Sequence, residues 1–270
     1  MNAQPTRKPF FIMNPLAVIN QEAVSKSMLD NLIKDYSAGG AISSSKFEIA
    51  YKSALTNGAL DYAKFKALIR TEYKLFPDTV VQKALKSAIE SQMPYSFDKH
   101  TIRALRDQGN VSFLLTKESG SELDQLQKGI VQLLKKEFGG DAKEVKEDDW
   151  FFQKKVRDNS LTIVEQRDKK PPAQKLLEFA DVVQEKGMGF SPKIIGVNAG
   201  ELTQLHQEQR KQAKVGERVN QAGMEIFLVG PKMAEFAVPL PKEIQRVSSL
   251  RDVLLPRATV EGKPQTQPFI

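Results

Sequence analysis

Side chains able to do covalent or acid–base chemistry are few in this sequence. There is no cysteine, which excludes thiolate nucleophiles, disulfides and cysteine-bound metals. The two histidines, His100 and His206, fall in different parts of the chain. A zinc site without cysteine would need both, together with carboxylates, and none is expected. His206 lies one turn beyond Leu202 and borders an apolar stripe, so it reads as a packed or interface histidine. Glu147, Asp148 and Asp149 read as a solvated acidic loop ahead of a strand. No phosphate-binding G-x-x-x-x-G-K-[ST] run occurs, and Gly187-Met188-Gly189 follows a helix, the wrong context for a dinucleotide loop. No serine sits in a G-x-S-x-G elbow. These absences predict a protein that is not an enzyme, with no metal and no cofactor.

One constellation does point to a chemistry, the holding of anions. Arg167, Lys169, Lys170 and Lys232 bring cations into two turns that follow apolar segments, against a single Asp168. Asn198 and Gly200 stand at a predicted helix N-terminus, where free backbone N–H groups and the helix dipole favour an anion. Phosphate contacts use this pairing of fixed N–H donors and mobile cations. These six residues are the candidate nucleic-acid or polyanion site.

The elements that would position them run from Leu161 to Val229. Leu161 to Glu165, Lys193 to Val197 and Met224 to Val229 are short, apolar and β-branched. Between them lie helical patterns from Pro171 to Lys186 and from Glu201 to Ala222, each ended by glycine. Strands alternating with helices imply a parallel βαβαβ unit, with the basic turns gathered at the carboxyl ends of its strands. Upstream, Val111 to Leu115 reads as a strand and Ser121 to Phe138 as a strong helix. A charged connector covers residues 141–149. Residues 150–156 and 161–165 are expected to form a β-hairpin across Arg157 to Ser160, which makes the sheet mixed. Trp150, Phe151 and Phe152 alternate across that strand, leaving an aromatic face for a partner.

Residues 1–108 read differently. After a short extended lead, Asn14-Pro15 opens an amphipathic helix, and Ser45, Asp61, Asp78 and Asp98 begin four more. Five short helices imply a helical bundle. Their outer faces carry Lys64, Lys66, Arg70, Lys74, Lys83, Lys86, Lys99, Arg103 and Arg106, a candidate basic stripe. The expected class is therefore α+β: a helical bundle over 1–108, an α/β domain with a mixed sheet over 109–240, then a short helix and an extended tail over 241–270.

Composition sets the setting. Hydrophobic residues make up 40% of the chain and charged residues 27%, and the formal net charge is +7. The surplus sits upstream: residues 1–108 hold 15 Lys/Arg against 10 Asp/Glu, and the remainder holds 25 against 23. Such a balance favours anionic partners, nucleic acid first. No apolar run nears the ~18 residues that span a bilayer, and a cytoplasmic location is expected.

The run from Asn159 to Gly230 resembles the large polyvalent protein-associated domains of relaxases, primases and other proteins of conjugative elements. Leu161 to Glu165, Leu176 to Gly187, Lys193 to Asn198 before Glu201, and Gln221 to Phe227 carry the resemblance. It implies an auxiliary role in DNA transfer, with no established catalytic residues. The function expected is a non-enzymatic accessory protein of a bacterial DNA-transfer (conjugation) or type IV secretion apparatus. It would bind nucleic acid or another polyanion and sit beside a protein partner in a larger assembly. The alternative is a protein–protein adaptor without nucleic-acid binding, docking through Trp150 to Phe152.

Overall fold

Six residues that local patterning leaves as a lead form the central strand of the molecule. The computed structural model describes residues 7–37, 49–50, 52–56, 59–60, 64–65, 67–68, 78–115, 122–147, 160–166, 172–186, 189–214, 224–229 and 240–254. Strand β1 (Lys8–Met13) buries Phe10 to Met13 completely. It pairs in parallel with β4 (Asn110–Leu115) on one side and β7 (Phe190–Gly196) on the other. With β5 (Ala142–Lys146), β6 (Leu161–Glu165), β8 (Glu225–Val229) and β9 (Ile244–Val247) these make a seven-stranded sheet. Its order is β5-β6-β4-β1-β7-β8-β9, and every pairing is parallel. A separate antiparallel ribbon joins β2 (Leu55–Thr56) to β3 (Ala59–Leu60).

This corrects the expected fold class. The sheet is not mixed, and no helical bundle stands ahead of it, because the helices after β1 pack onto the sheet that β1 centres. The expected hairpin is excluded as well, since β5 and β4 occupy both edges of β6 over its whole length. The charged connector contains β5, whose AKEVK pattern buries only Ala142 and Val145. Downstream, residues 244–254 form β9 and a 3₁₀ turn (Leu250–Leu254) rather than one helix.

Helices cover both faces. On one face lie a 3₁₀ turn (Pro15–Val18), α1 (Gln21–Ser37), α2 (Asp78–Ser96), α3 (Lys99–Gln108) and α4 (Glu122–Phe138). Val24, Met28 and Leu32 of α1, Leu85 and Ala88 of α2, and Leu126, Ile130 and Leu134 of α4 share a core with Phe11, Phe113 and Ile163 of the sheet. On the other face, α5 (Pro172–Lys186) and α6 (Ala199–Lys214) bury Leu176, Val183, Leu202 and Leu205 against Phe10, Ile12, Ile194 and Ile226. The α4 crossover moves toward β5 on the first face, and the α5 and α6 crossovers move toward β9 on the second. Opposite directions on opposite faces give these crossovers the usual right-handed sense.

The caps follow side-chain chemistry. Asp98 accepts from the N–H of Thr101 at 3.0 Å and opens α3. Asn14 opens only the 3₁₀ turn, and Asn20 accepts from Ala23 N–H at 3.1 Å to begin α1, so the single helix expected from Pro15 is split in two. Pro94 does not end α2, which runs two residues past it.

A half-buried acid gives one prediction. Asp181 on α5 has its pKa raised from 3.8 to about 6, chiefly by burial and then by repulsion from Glu185 and Glu178. Its Oδ1 is buried with no hydrogen-bond partner. The folded state thus holds this proton more tightly than the unfolded chain, so stability falls as pH rises from about 4 to 6 and stays lower above that. The shift alone would correspond to about 3 kcal/mol; with half the group near solvent, about 1 kcal/mol is expected. Asp181→Asn should raise the urea midpoint above pH 6 and leave it unchanged below pH 4.

Candidate functional site

In an open parallel sheet, ligands meet the carboxyl ends of the strands where the strand order reverses. From β1 the chain passes first to β4 on one side and only later, through β7, to the other, so the reversal lies between β1 and β7. Asn14 follows β1 and Asn198 follows β7. The two strand ends are tied by the N–H of Asn14, which donates to the carbonyl of Ile195 at 2.9 Å.

Both asparagines are half-buried and turn their side-chain oxygen onto the backbone that follows. Asn14 Oδ1 accepts from Leu16 N–H at 2.9 Å. Asn198 Oδ1 accepts from the N–H groups of Gly200 at 2.9 Å and Glu201 at 3.3 Å. The helix-start donors expected to meet an anion are thus already engaged by their own cap. Gly196 closes the strand end tightly on α6, since a Cβ there would lie 2.8 Å from Leu202 Cδ2. Asn198→Ala should cost about 1 kcal/mol through loss of the cap, read as a lower thermal midpoint; Asn198→Asp, which keeps the acceptor, should restore it.

Of the six sequence-predicted anion-site residues, Asn198 and Gly200 are placed at this crevice. Arg167, Lys169, Lys170 and Lys232 lie outside the described residues, as do Trp150, Phe151 and Phe152. The three apolar segments behind the constellation do run parallel, and β7 and β8 are neighbours, yet β6 does not lie beside them. β4 and β1 separate β6 from β7, three interstrand steps or about 14 Å. Gln166, at the end of β6, is buried and donates its N–H to Leu115 O at 3.4 Å. Sequence reasoning read Asn14 only as a helix cap; its place at the end of the central strand carried no local signal beyond the apolar run before it.

Three cations of the basic stripe are locally neutralised. Lys99 and Arg103 reach Glu137 at 3.2 and 3.9 Å, and Arg106 reaches Asp141 at 2.9 Å. Arg103 also lies over the Phe138 ring. His206 is buried on α6, with Nε2 3.4 Å from Glu243, and His100 lies far from it on α3. Among the described residues no group of three or more His, Asp or Glu is placed to hold a metal ion. A second rim feature is a buried charge: Lys175, in the first turns of α5, pairs with Glu147 at the end of β5 and with Glu178 at 3.4 Å.

No protein-family profile matches the chain, and no curated protein does. Among solved structures, a protein named as a haloacid dehalogenase-like hydrolase from Burkholderia xenovorans LB400 is 13% identical, with a TM-score of 0.50. The match covers 93% of this chain and all of that one. A haloacid dehalogenase-like family hydrolase from Xanthomonas campestris is 8% identical over 92% of this chain and 94% of that one, with a TM-score of 0.43. At these identities the likeness is one of fold, and it rests on the first of the two. It overturns the expectation of a non-enzymatic accessory protein for DNA transfer or secretion and the adaptor alternative with it. The chain has instead a fold that a hydrolase-named protein also uses. Among the described residues no helix is long and apolar enough to cross a membrane.

Proposed function

We propose that this chain is a hydrolase that acts on a small anionic substrate at the crevice between β1 and β7. The observation that carries the reading is the reversal of strand order between those two strands, with a helix N-terminus opening directly beside it. The fold shared with a hydrolase-named protein supports it. Strand β1 is followed by Asn14, Pro15 and Leu16, none of which carries a nucleophilic side chain. Among the described residues, Glu201 in the first turn of α6 places a carboxylate beside the crevice. In this reading Glu201 activates the attacking water as general base, and the dipole of α6, whose first N–H groups Asn198 already caps, draws the substrate's negative group toward the crevice without donating to it. The cysteine-free composition fits a cytoplasmic setting.

The test is turnover of chromogenic phosphate and carboxylic esters by the purified chain. Wild type should hydrolyse at least one class, and Glu201→Gln should lower kcat by roughly 10²–10⁴, the usual worth of a positioned base. A folded wild-type chain inert on every ester, or Glu201→Gln with unchanged kcat, would sink the reading.

A further inference from the structure

The crevice between β1 and β7 carries two groups without a role in the general-base step, the side-chain amides of Asn14 and Asn198. Asn14 Oδ1 accepts from Leu16 N–H at 2.9 Å, and Asn198 Oδ1 accepts from Gly200 N–H at 2.9 Å and Glu201 N–H at 3.3 Å. Only the oxygen of an amide can accept a backbone N–H, so the other branch of each side chain is the NH2 group. Both amides are thereby fixed in rotation, with their donors turned away from the backbone that each caps. Among the described residues neither Nδ2 has a hydrogen-bond partner, and neither is sealed from solvent as Nδ2 of Asn110 is. The two asparagines also stand close. Met13 is the register partner of Ile195, which sets Asn14 level with Gly196 on the neighbouring strand. Asn198 lies two residues further along, so the two Cα atoms are roughly 8 Å apart. From such positions two asparagine side chains can donate to one oxygen between them at about 2.9 Å each.

We infer that Asn14 and Asn198 form an oxyanion hole, and that the group attacked at this crevice is a carboxylic acyl carbon rather than phosphorus. The inference rests on the hydrolase reading and names its substrate class, a small carboxylic ester that carries its own negative group. Glu201 takes a proton from water as the water oxygen bonds to the carbonyl carbon. The π pair of the carbonyl moves onto its oxygen, where both NH2 groups hold it. Return of that pair expels the alkoxide, which takes the proton from Glu201, and acid and alcohol result. Neutral donors suit this step. They bind an uncharged carbonyl weakly and the oxyanion strongly, so their interaction is realised in the transition state. Their caps hold them in place beforehand, so no reorganisation is needed as the charge develops. A phosphoryl group is charged before reaction begins, and neutral amides distinguish little between its ground and transition states.

Serine at either position separates donor from cap, since its oxygen caps about as well as asparagine's but brings no NH2 group. Asn14→Ser and Asn198→Ser should keep the wild-type thermal midpoint. Each should lower kcat on p-nitrophenyl acetate by roughly 10²–10³ with KM near that of wild type. For the wild type, p-nitrophenyl phosphate should be the poorer substrate. A second measurement needs no turnover. In ¹⁵N-labelled protein the two side-chain NH2 signals, assigned by their loss in the serine variants, should both shift on titration with acetate and give one Kd. Both signals shifting in a chain inert on every ester would support the donor pair and sink the hydrolase reading. Serine variants with unchanged kcat in an active enzyme would overturn the oxyanion hole and leave the hydrolase reading standing. Amide signals indifferent to acetate would overturn the hole whatever the turnover. Faster hydrolysis of the phosphate ester would overturn the substrate class.

Discussion

Lys175→Ala should lower the unfolding free energy by about 3 kcal/mol, the low end of the cost of breaking a buried ion pair. Lys175 is 1% exposed, and its ammonium group lies between Glu147 and Glu178, whose side chains keep 18% and 36% of their exposure. Removing the cation leaves two carboxylates facing each other and opens a cavity where the aliphatic stem packed. Those carboxylates can partly rehydrate, which keeps the cost from the top of the range. Lys175→Met separates the two effects, because it retains the stem and deletes only the charge. It should cost less than Lys175→Ala by the share that the lost stem packing contributes. Urea denaturation of the three proteins at neutral pH checks this; equal losses for Ala and Met would show that charge pairing alone fixes the start of α5 to the end of β5.

Gly109→Ala should be comparably damaging for a different reason. A Cβ at this position would lie 1.9 Å from the carbonyl oxygen of Pro9 and 2.9 Å from its carbon. Both obstacles are backbone, so no rotamer change relieves them. Gly109 has an extended φ of −175°, and no left-handed geometry is involved; the requirement is purely one of close approach. To accept a methyl group, α3 and the start of β4 must move away from β1 at the centre of the sheet. Overpacking of this kind costs about 3 kcal/mol. Gly140→Ala is the control, since a Cβ there meets nothing within 4 Å. A lower thermal midpoint is expected for Gly109→Ala and almost none for Gly140→Ala. A well-tolerated alanine at 109 would mean that β1 and the end of α3 are not in contact.

These two sites show where local reading stops. Gly109 is a helix terminator in sequence, and α3 does end on it, its N–H donating to Leu105 O at 3.0 Å. Nothing near it in sequence announces Pro9, a hundred positions earlier. Lys175 looks like one more solvated lysine on an amphipathic helix, and its burial depends on Glu147 from another crossover. The candidate site divides the same way. Asn198 and the start of α6 were legible because a cap is a contact between neighbours in sequence. Asn14 was read only as a cap, because its functional position depends on the strand before it lying beside β7.

The sequence by itself determined the elements whose causes lie within a few residues: the strands at 111–115, 161–165, 193–197 and 224–229, the helices between them, and the caps at Asn14, Asp98 and Asn198. Tertiary structure decided the order of those strands, the central place of β1, and which cations are spent in ion pairs. The reason is physical. Helical and strand periods and caps are set by short-range sterics and hydrogen bonds, whereas β1 is held by β4 and β7, whose residues lie about a hundred and about a hundred and eighty positions away, and such pairings leave no trace in either segment's own pattern.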